Sequence, residues 1–226
     1  MTFRNRLQYF LVKRLQISNK KALELISVGA CRVASKQVFE NVEIQPFEEI
    51  ICDGEILREE KKLYYIAFYK PVGIETTLNQ AIPDNLQAIL PFEEKLFPVG
   101  RLDKASEGLL LLTNDGRVFD KTLRKEHQTE KEYIVKVDKP ITELFVEQMS
   151  SGITIMGQTT LPCFVEAIDE YTFRIILVQG LNRQIRRMCY KLEYEVLSLK
   201  RIRIDQVHLG DLQPNEYREV GELIGE

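Results

Sequence analysis

Leu7, Phe10, Leu11 and Leu15 recur at intervals of three and four residues, with the basic residues mostly off that stripe. The spacing predicts a helix over 4–15. Ser18 stands as an N-cap ahead of a second stripe, Ala22, Leu25 and Ile26, and Gly29 is a natural stop. Short β-rich segments follow at Cys31–Val33, Ile44 and Ile50–Cys52, closed by an Asp53-Gly54 turn. Glu59-Glu60-Lys61-Lys62 reads as a linker. Beyond it the pattern changes to β-branched and aromatic segments, which predict strands at Leu63–Tyr69, Gly108–Thr113, Tyr133–Val137, Phe164–Ile168 and Phe173–Val178. Helices are expected between them over 116–125, 141–150 and 182–193. Strands of mixed length with scattered helices predict an α+β fold, with residues 1–60 as a small helical and β module and residues 63–226 built on a mixed, largely antiparallel sheet with flanking helices. Within that second part the unbroken run Leu109–Leu112 has to be buried.

Composition narrows the chemistry. The 226 residues are 44% hydrophobic and 29% charged, as in ordinary globular chains, and no apolar run reaches the roughly 20 residues that span a bilayer. Cys31, Cys52, Cys163 and Cys189 are scattered without a Cys-x-x-Cys pair, which favours a cytoplasmic protein with reduced thiols and no zinc cluster. His127 and His208, the two histidines, have no companions at ligand spacing. A histidine triad or a metal site is therefore not expected, and the chemistry has to run on Asp, Glu, Tyr, Lys and Arg.

The net charge of −3 conceals a strong polarity. Residues 1–36 carry eight cations, Arg4, Arg6, Lys13, Arg14, Lys20, Lys21, Arg32 and Lys36, against Glu24 alone. Such a basic end on an acidic chain points to a localised polyanion contact, or else to a solvated charged face.

Four segments are candidates for chemistry. Lys70-Pro71-Val72-Gly73 ends an apolar strand and by itself is a turn. Gly100-Arg101-Leu102-Asp103-Lys104-Ala105-Ser106-Glu107-Gly108 places Asp103 between two cations at the mouth of the leucine strand, where its neighbours favour the ionised form. Asp103 is thus a candidate nucleophile or a member of a surface ion pair. In Glu130-Lys131-Glu132-Tyr133-Ile134-Val135-Lys136-Val137, alternation puts Lys131, Tyr133 and Val135 on one face; Tyr133 is a core residue or a platform for an unpaired base. In Gln179-Gly180-Leu181-Asn182-Arg183-Gln184-Ile185-Arg186-Arg187-Met188-Cys189, Asn182 reads as an N-cap. Arg183, Gln184 and Arg186 then fall in a first turn that already favours anions, which suggests a carboxylate or phosphate partner. Arg187 flanks the same apolar stripe, and residues 181–203 hold seven cations against Glu193 and Glu195.

Taken in order, the four segments resemble the pseudouridine synthases, specifically the ribosomal RsuA-like family in which a small S4 RNA-binding domain precedes the catalytic domain. The resemblance covers nearly the whole chain. It implies an S4-like domain over 1–60, a catalytic domain over 63–226, no cofactor, and a uridine of 23S ribosomal RNA as substrate, free or in an assembling large subunit, with a transfer RNA as a second target. It implies a monomeric, cytoplasmic bacterial enzyme without a membrane partner. By match to the family motifs, Asp103 is the catalytic aspartate, Tyr133 the tyrosine that packs against the base, and Arg186 the arginine that pairs with the aspartate, with Leu199 as its packing neighbour. Arg101, Lys104, Arg183, Gln184, Arg187 and Leu199 are expected against the substrate, and Arg4, Arg6, Lys13, Arg14, Lys20 and Lys21 are expected to grip RNA from the N-terminal module. That module departs from the family in Ser18-Asn19-Lys20-Lys21-Ala22, where Ser-Arg-Arg-x-Ala is usual, and Ser106 stands where Thr is common.

Two other readings compete. A catalytically silent RNA-binding or ribosome-assembly factor would keep the basic surfaces and lose the acid, which the intact Asp103, Tyr133 and Arg186 set opposes. A two-carboxylate glycoside hydrolase would need a partner for Asp103, and Glu107 and Asp115 are near in number but stand in no motif.

Overall fold

A computed structural model describes residues 3–118 and 129–221 of the chain. It divides into two compact units, Met1–Leu63 and Tyr64–Glu226.

In the first unit a 3-10 turn, Phe3–Asn5, leads into α1 (Leu7–Leu15), and α2 (Asn19–Ser27) follows. The Ser18 hydroxyl accepts the Lys21 N–H at 3.2 Å, so the expected cap is present. Leu7 and Leu11 of α1 and Ala22 and Ile26 of α2 are buried on a sheet of order β2-β1-β3-β4, formed by β1 (Cys31–Val33), β2 (Lys36–Val38), β3 (Ile50–Cys52) and β4 (Glu55–Arg58). Asp53 (φ 52°) and Gly54 (φ 82°) are both left-handed, the backbone that a two-residue hairpin between β3 and β4 requires. Ile44 is buried as its apolar character demands, yet lies outside the strands; its N–H is held by the Asn5 carbonyl at 2.8 Å.

The second unit is organised by a nine-stranded sheet. Its strands are β5 (Tyr65–Lys70), β6 (Phe97–Val99), β7 (Glu107–Thr113), β8 (Lys131–Val137), β11 (Phe164–Ala167), β12 (Thr172–Leu177), β13 (Val196–Ile204), β14 (Val207–His208) and β15 (Tyr217–Glu219), while β9 (Thr154–Ile155) and β10 (Gln158–Thr159) form a separate hairpin. The spatial order is β11-β12-β8-β13-β7-β5-β15, with β14 on β13 and β6 on β7. Among the described strands only the β7–β13 pairing is parallel, so the expected mixed, largely antiparallel α+β sheet is what forms. Leu109–Leu112 sit in the middle of this sheet, each at most 3% exposed, because a central strand covered on both faces has no polar side.

Among the described residues two α-helices flank the sheet. α3 (Glu143–Ser151) starts from Thr142, whose hydroxyl accepts the Phe145 N–H, and packs Phe145 and Met149 onto Val135, Phe173 and Ile175. α4 (Gln184–Lys191) adds Ile185, Met188 and Cys189 to the same core. The helix expected over 116–125 falls largely on residues 119–128, as does His127, outside the described residues. Sequence patterning missed β13, the longest described strand, because Lys200, Arg201 and Arg203 interrupt its apolar positions.

Candidate active site

The site is built on one transverse row of the sheet. Register partners run Ile175–Tyr133–Arg201–Gly108–Lys70 through β12, β8, β13, β7 and β5. Direct partners in a sheet share a face, so Tyr133, Arg201 and Lys70 project together. Gly108 lies between the two cations for a steric reason. Its φ of 103° suits glycine, and a Cβ there would stand 2.3 Å from the Arg201 carbonyl oxygen.

Residues 101–106, just before β7, carry Asp103 beside this row. Each of five successive carbonyls in that loop has its own donor. Arg201 Nη1 holds Arg101 O (3.3 Å), Thr76 Oγ1 holds Leu102 O (2.6 Å), the Ser106 N–H holds Asp103 O (3.0 Å), the Gly73 N–H holds Lys104 O (2.8 Å) and Arg186 Nη2 holds Ala105 O (2.7 Å). The Gly73 turn is fixed in turn by Lys70, whose Nζ donates to the carbonyls of Pro71 (2.7 Å) and Ile74 (2.8 Å). The half-buried Asp103 carboxylate, by contrast, makes no hydrogen bond or ion pair among the described residues. A carboxylate whose main chain is tied down and whose oxygens are uncommitted is suited to act on a substrate atom.

Two cations act on it through space. Lys70 is completely buried; desolvation pulls its ammonium down to about 8, partly opposed by Glu75, Asp103 and Glu107 and reinforced by Arg201. Burial and the nearby Arg183 lower the Arg186 guanidinium, while Asp103 favours its charged form. The expected direct Asp103–Arg186 ion pair is not what forms: Arg186 instead donates to the carbonyls of Ala105 and of Val196 (3.0 Å), bridging the Asp103 loop to the start of β13. The two groups remain coupled electrostatically.

The other expected residues divide. Tyr133 is half-buried and packs on the Val135 and Phe173 core, and Leu199 lies within that core. Arg101 and Lys104 are exposed and paired with Glu75 (3.1 Å) and Asp84 (3.2 Å), solvated contacts of little strength. Arg183 is exposed at the start of α4, in a left-handed conformation (φ 50°). The N-cap position is thus Arg183 rather than Asn182. The carbonyl and side chain of Asn182 both accept from the Arg187 guanidinium, at 3.0 and 3.2 Å, which orients Arg187. Gln184 departs from expectation: it is 4% exposed, and its Oε1 accepts the Leu181 N–H at 3.0 Å, so it braces the turn before α4 instead of meeting substrate. The partner acids that a hydrolase would need are occupied, Asp115 by Arg117 and Tyr65, and Glu107 by Tyr69.

Thr76 and Arg201 have no role in the motif reading, and Lys70 enters it only as part of a turn. For Lys70 a signal existed: a charge that terminates the apolar run Tyr65–Tyr69 without leaving the strand. In the N-terminal unit Arg4, Lys13, Arg14, Lys20 and Lys21 are exposed, Lys21 within an i,i+3 pair to Glu24. Arg6 is half-buried and donates to the Asn41 carbonyl at 2.9 Å, a structural contact rather than the solvent-facing one expected.

Comparison with known proteins agrees with this geometry. The family model for RNA pseudouridylate synthase matches residues 64–191. The chain is 42% identical over 205 residues, 90% of its length and 71% of the relative's, to the dual-specificity RNA pseudouridine synthase RluF of Escherichia coli (strain K12). It is 28% identical over 238 residues, 96% of each chain, to the ribosomal large subunit pseudouridine synthase B of Bacillus subtilis (strain 168). A crystal structure of a pseudouridylate synthase superposes with a TM-score of 0.67 at 28% identity, covering 96% of both chains. With the sheet, the site-bearing unit and these similarities in agreement, the chain belongs to the RNA pseudouridine synthases, enzymes that convert uridine in RNA to pseudouridine, in their RsuA-like branch.

Proposed function

We propose that this chain isomerises a specific uridine of 23S ribosomal RNA, with a transfer RNA uridine as a second target, and that Asp103 is its catalytic residue. The observation that carries the assignment is the Asp103 loop: five anchored carbonyls beneath a carboxylate with no partner of its own among the described residues. Breaking the glycosidic bond develops positive charge on the ribose, and an ionised carboxylate stabilises that charge whether it attacks the anomeric carbon or assists elimination. The uracil then turns and rejoins through carbon. A base inside an RNA helix has to leave its stack to reach the loop, at an expense of a few kcal/mol that the basic surfaces offset. Tyr133, two strands from β7 in the same row, gives the extruded base a face to stack on.

The ribosomal substrate is supported by the name of the Bacillus relative, and a second substrate accords with the dual specificity in the name of the Escherichia relative. Residues 1–60 are assigned as an S4-like RNA-binding domain. The exposed cations of α1 and α2 support that role, and the enzyme is assigned as a cytoplasmic monomer. Pseudouridine mapping across ribosomal and transfer RNA, with and without the gene, tests the reading. Loss of one 23S site and one transfer RNA site is expected, restored by the wild-type chain but not by Asp103→Asn. Restoration by Asp103→Asn would remove the aspartate from the chemistry.

A further inference from the structure

Arg201 is 2% exposed, yet forms no ion pair among the described residues. A buried cation without a counter-charge is costly, so its hydrogen bonds identify what it does there. Nε donates to Leu109 O at 2.7 Å and Nη1 to Arg101 O at 3.3 Å; Nη2 is buried with no partner among the described residues. These two carbonyls bracket the Asp103 loop, Arg101 at its entry and Leu109 in β7, three residues past its end. The parallel pairing of β7 and β13 extends over only two residue pairs, Lys200–Glu107 and Arg201–Gly108. Where it stops, the Arg201 side chain supplies the donor for Leu109 O that a continued ladder would have supplied.

We propose that Arg201 is a positioning residue for the isomerisation: its planar guanidinium fixes the separation of the two ends of the loop and so sets the direction of the Asp103 carboxylate. A rigid fork with two donors constrains two carbonyls at once, which a single ammonium on a flexible stem cannot do. Gly108 belongs to the same device, since a side chain there would meet the Arg201 backbone. Arg201 itself is too buried to touch RNA, so its influence falls on the chemical step and not on binding. The proposal rests on the assignment of Asp103 as catalytic.

The test is steady-state kinetics of the full-length chain on ribosomal and transfer RNA isolated from cells lacking the gene, well below the melting temperature. Arg201→Met is expected to lower kcat on the order of 100-fold, with KM for RNA within about threefold. Arg201→Lys, which retains charge and most of the volume, is expected to recover only part of the loss and provides the measurement if Arg201→Met does not fold. Arg203→Gln is the control on the same strand. Its parent side chain bonds Glu132 (2.6 Å) and Glu130 (3.0 Å), not the loop, so its removal should lower the melting temperature and leave kcat unchanged. A wild-type kcat in Arg201→Met or Arg201→Lys overturns the proposal, as does a rise in KM with kcat intact. So does a fall in kcat that Arg203→Gln reproduces at equal loss of stability. Asp103→Asn separates the two layers: its activity would defeat the aspartate assignment, whereas inactive Asp103→Asn beside fully active Arg201 variants would defeat the positioning role alone.

Discussion

The guanidinium of Arg186 reaches the Ala105 carbonyl at 2.7 Å and leaves the carboxylate of Asp103, two residues earlier, without a direct partner among the described residues. An aspartate locked in an ion pair would have to break that pair before serving a substrate. Here the arginine grips the main chain at Ala105 and at Val196, and is coupled to the carboxylate through its field.

Arg186→Lys separates anchoring from charge. A lysine keeps the positive field but can hold only one of the two carbonyls that the fork spans. Its kcat is expected to fall on the order of 10- to 100-fold, nearly as far as that of Arg186→Gln, with RNA affinity little changed. Single-turnover pseudouridine formation checks this; full activity of the lysine variant would mean that charge alone is what the site needs.

Lys70 makes stability depend on pH above neutrality. Its folded value of about 8 lies below the ordinary 10.5, so between those values the unfolded chain binds the proton and the folded one does not. Below pH 8 both forms are protonated and the cost of the buried charge is fully present. Across the window the cost is relieved, and above pH 10.5 the relief is complete. Wild type is therefore expected to gain up to about 3 kcal/mol on Lys70→Met as pH rises from 8 to 10.5, at roughly 1.36 kcal/mol per pH unit. Urea unfolding of both proteins at several pH values measures it, and a constant difference would contradict the burial.

Gly108→Ala should be among the more damaging small substitutions in the chain. The added methyl would meet backbone, not a yielding side-chain end, at a φ that L residues avoid. A loss of about 3 kcal/mol or more is expected in denaturant unfolding. An alanine variant with unchanged stability would show that β7 and β13 separate easily.

Lys13, Arg14 and Lys20 are exposed and without an ion pair among the described residues. Replacing all three with Gln should weaken RNA binding. It should also flatten the dependence of log affinity on log salt by roughly 0.7 to 0.9 for each phosphate no longer neutralised. An unchanged slope in a filter-binding titration would remove α1 and α2 from the RNA interface.

Much of this was legible in residue order, for identifiable reasons. The leucine run Leu109–Leu112 could only be a strand covered on both faces, and Ser18 and Gly29 mark the ends of α2 through chemistry confined to a few neighbouring residues. The Asp103, Tyr133 and Arg186 segments are legible as motifs because each is contiguous. What stayed hidden depends on distant pairing. β13 carries three cations, and its burial emerges only when Lys200–Glu107 and Arg203–Glu132 meet across the sheet. Gln184 reads as a polar residue on a basic helix until the Leu181 N–H claims its oxygen. Arg201 counted as one more positive charge, since nothing near it in sequence reveals that Arg101, one hundred residues away, lies within its reach.

The carbonyls of residues 101 to 105 are divided among donors from the β5–β6 connection, the loop itself, α4 and β13. No single hinge releases such a loop, because moving it breaks bonds to several separate parts of the fold. The enzyme therefore meets its substrate as a mould and not as a clasp. The work of fitting falls to the nucleic acid, and a uridine in a bulge or loose loop, already halfway out of its stack, has the advantage over the same uridine in a firm helix.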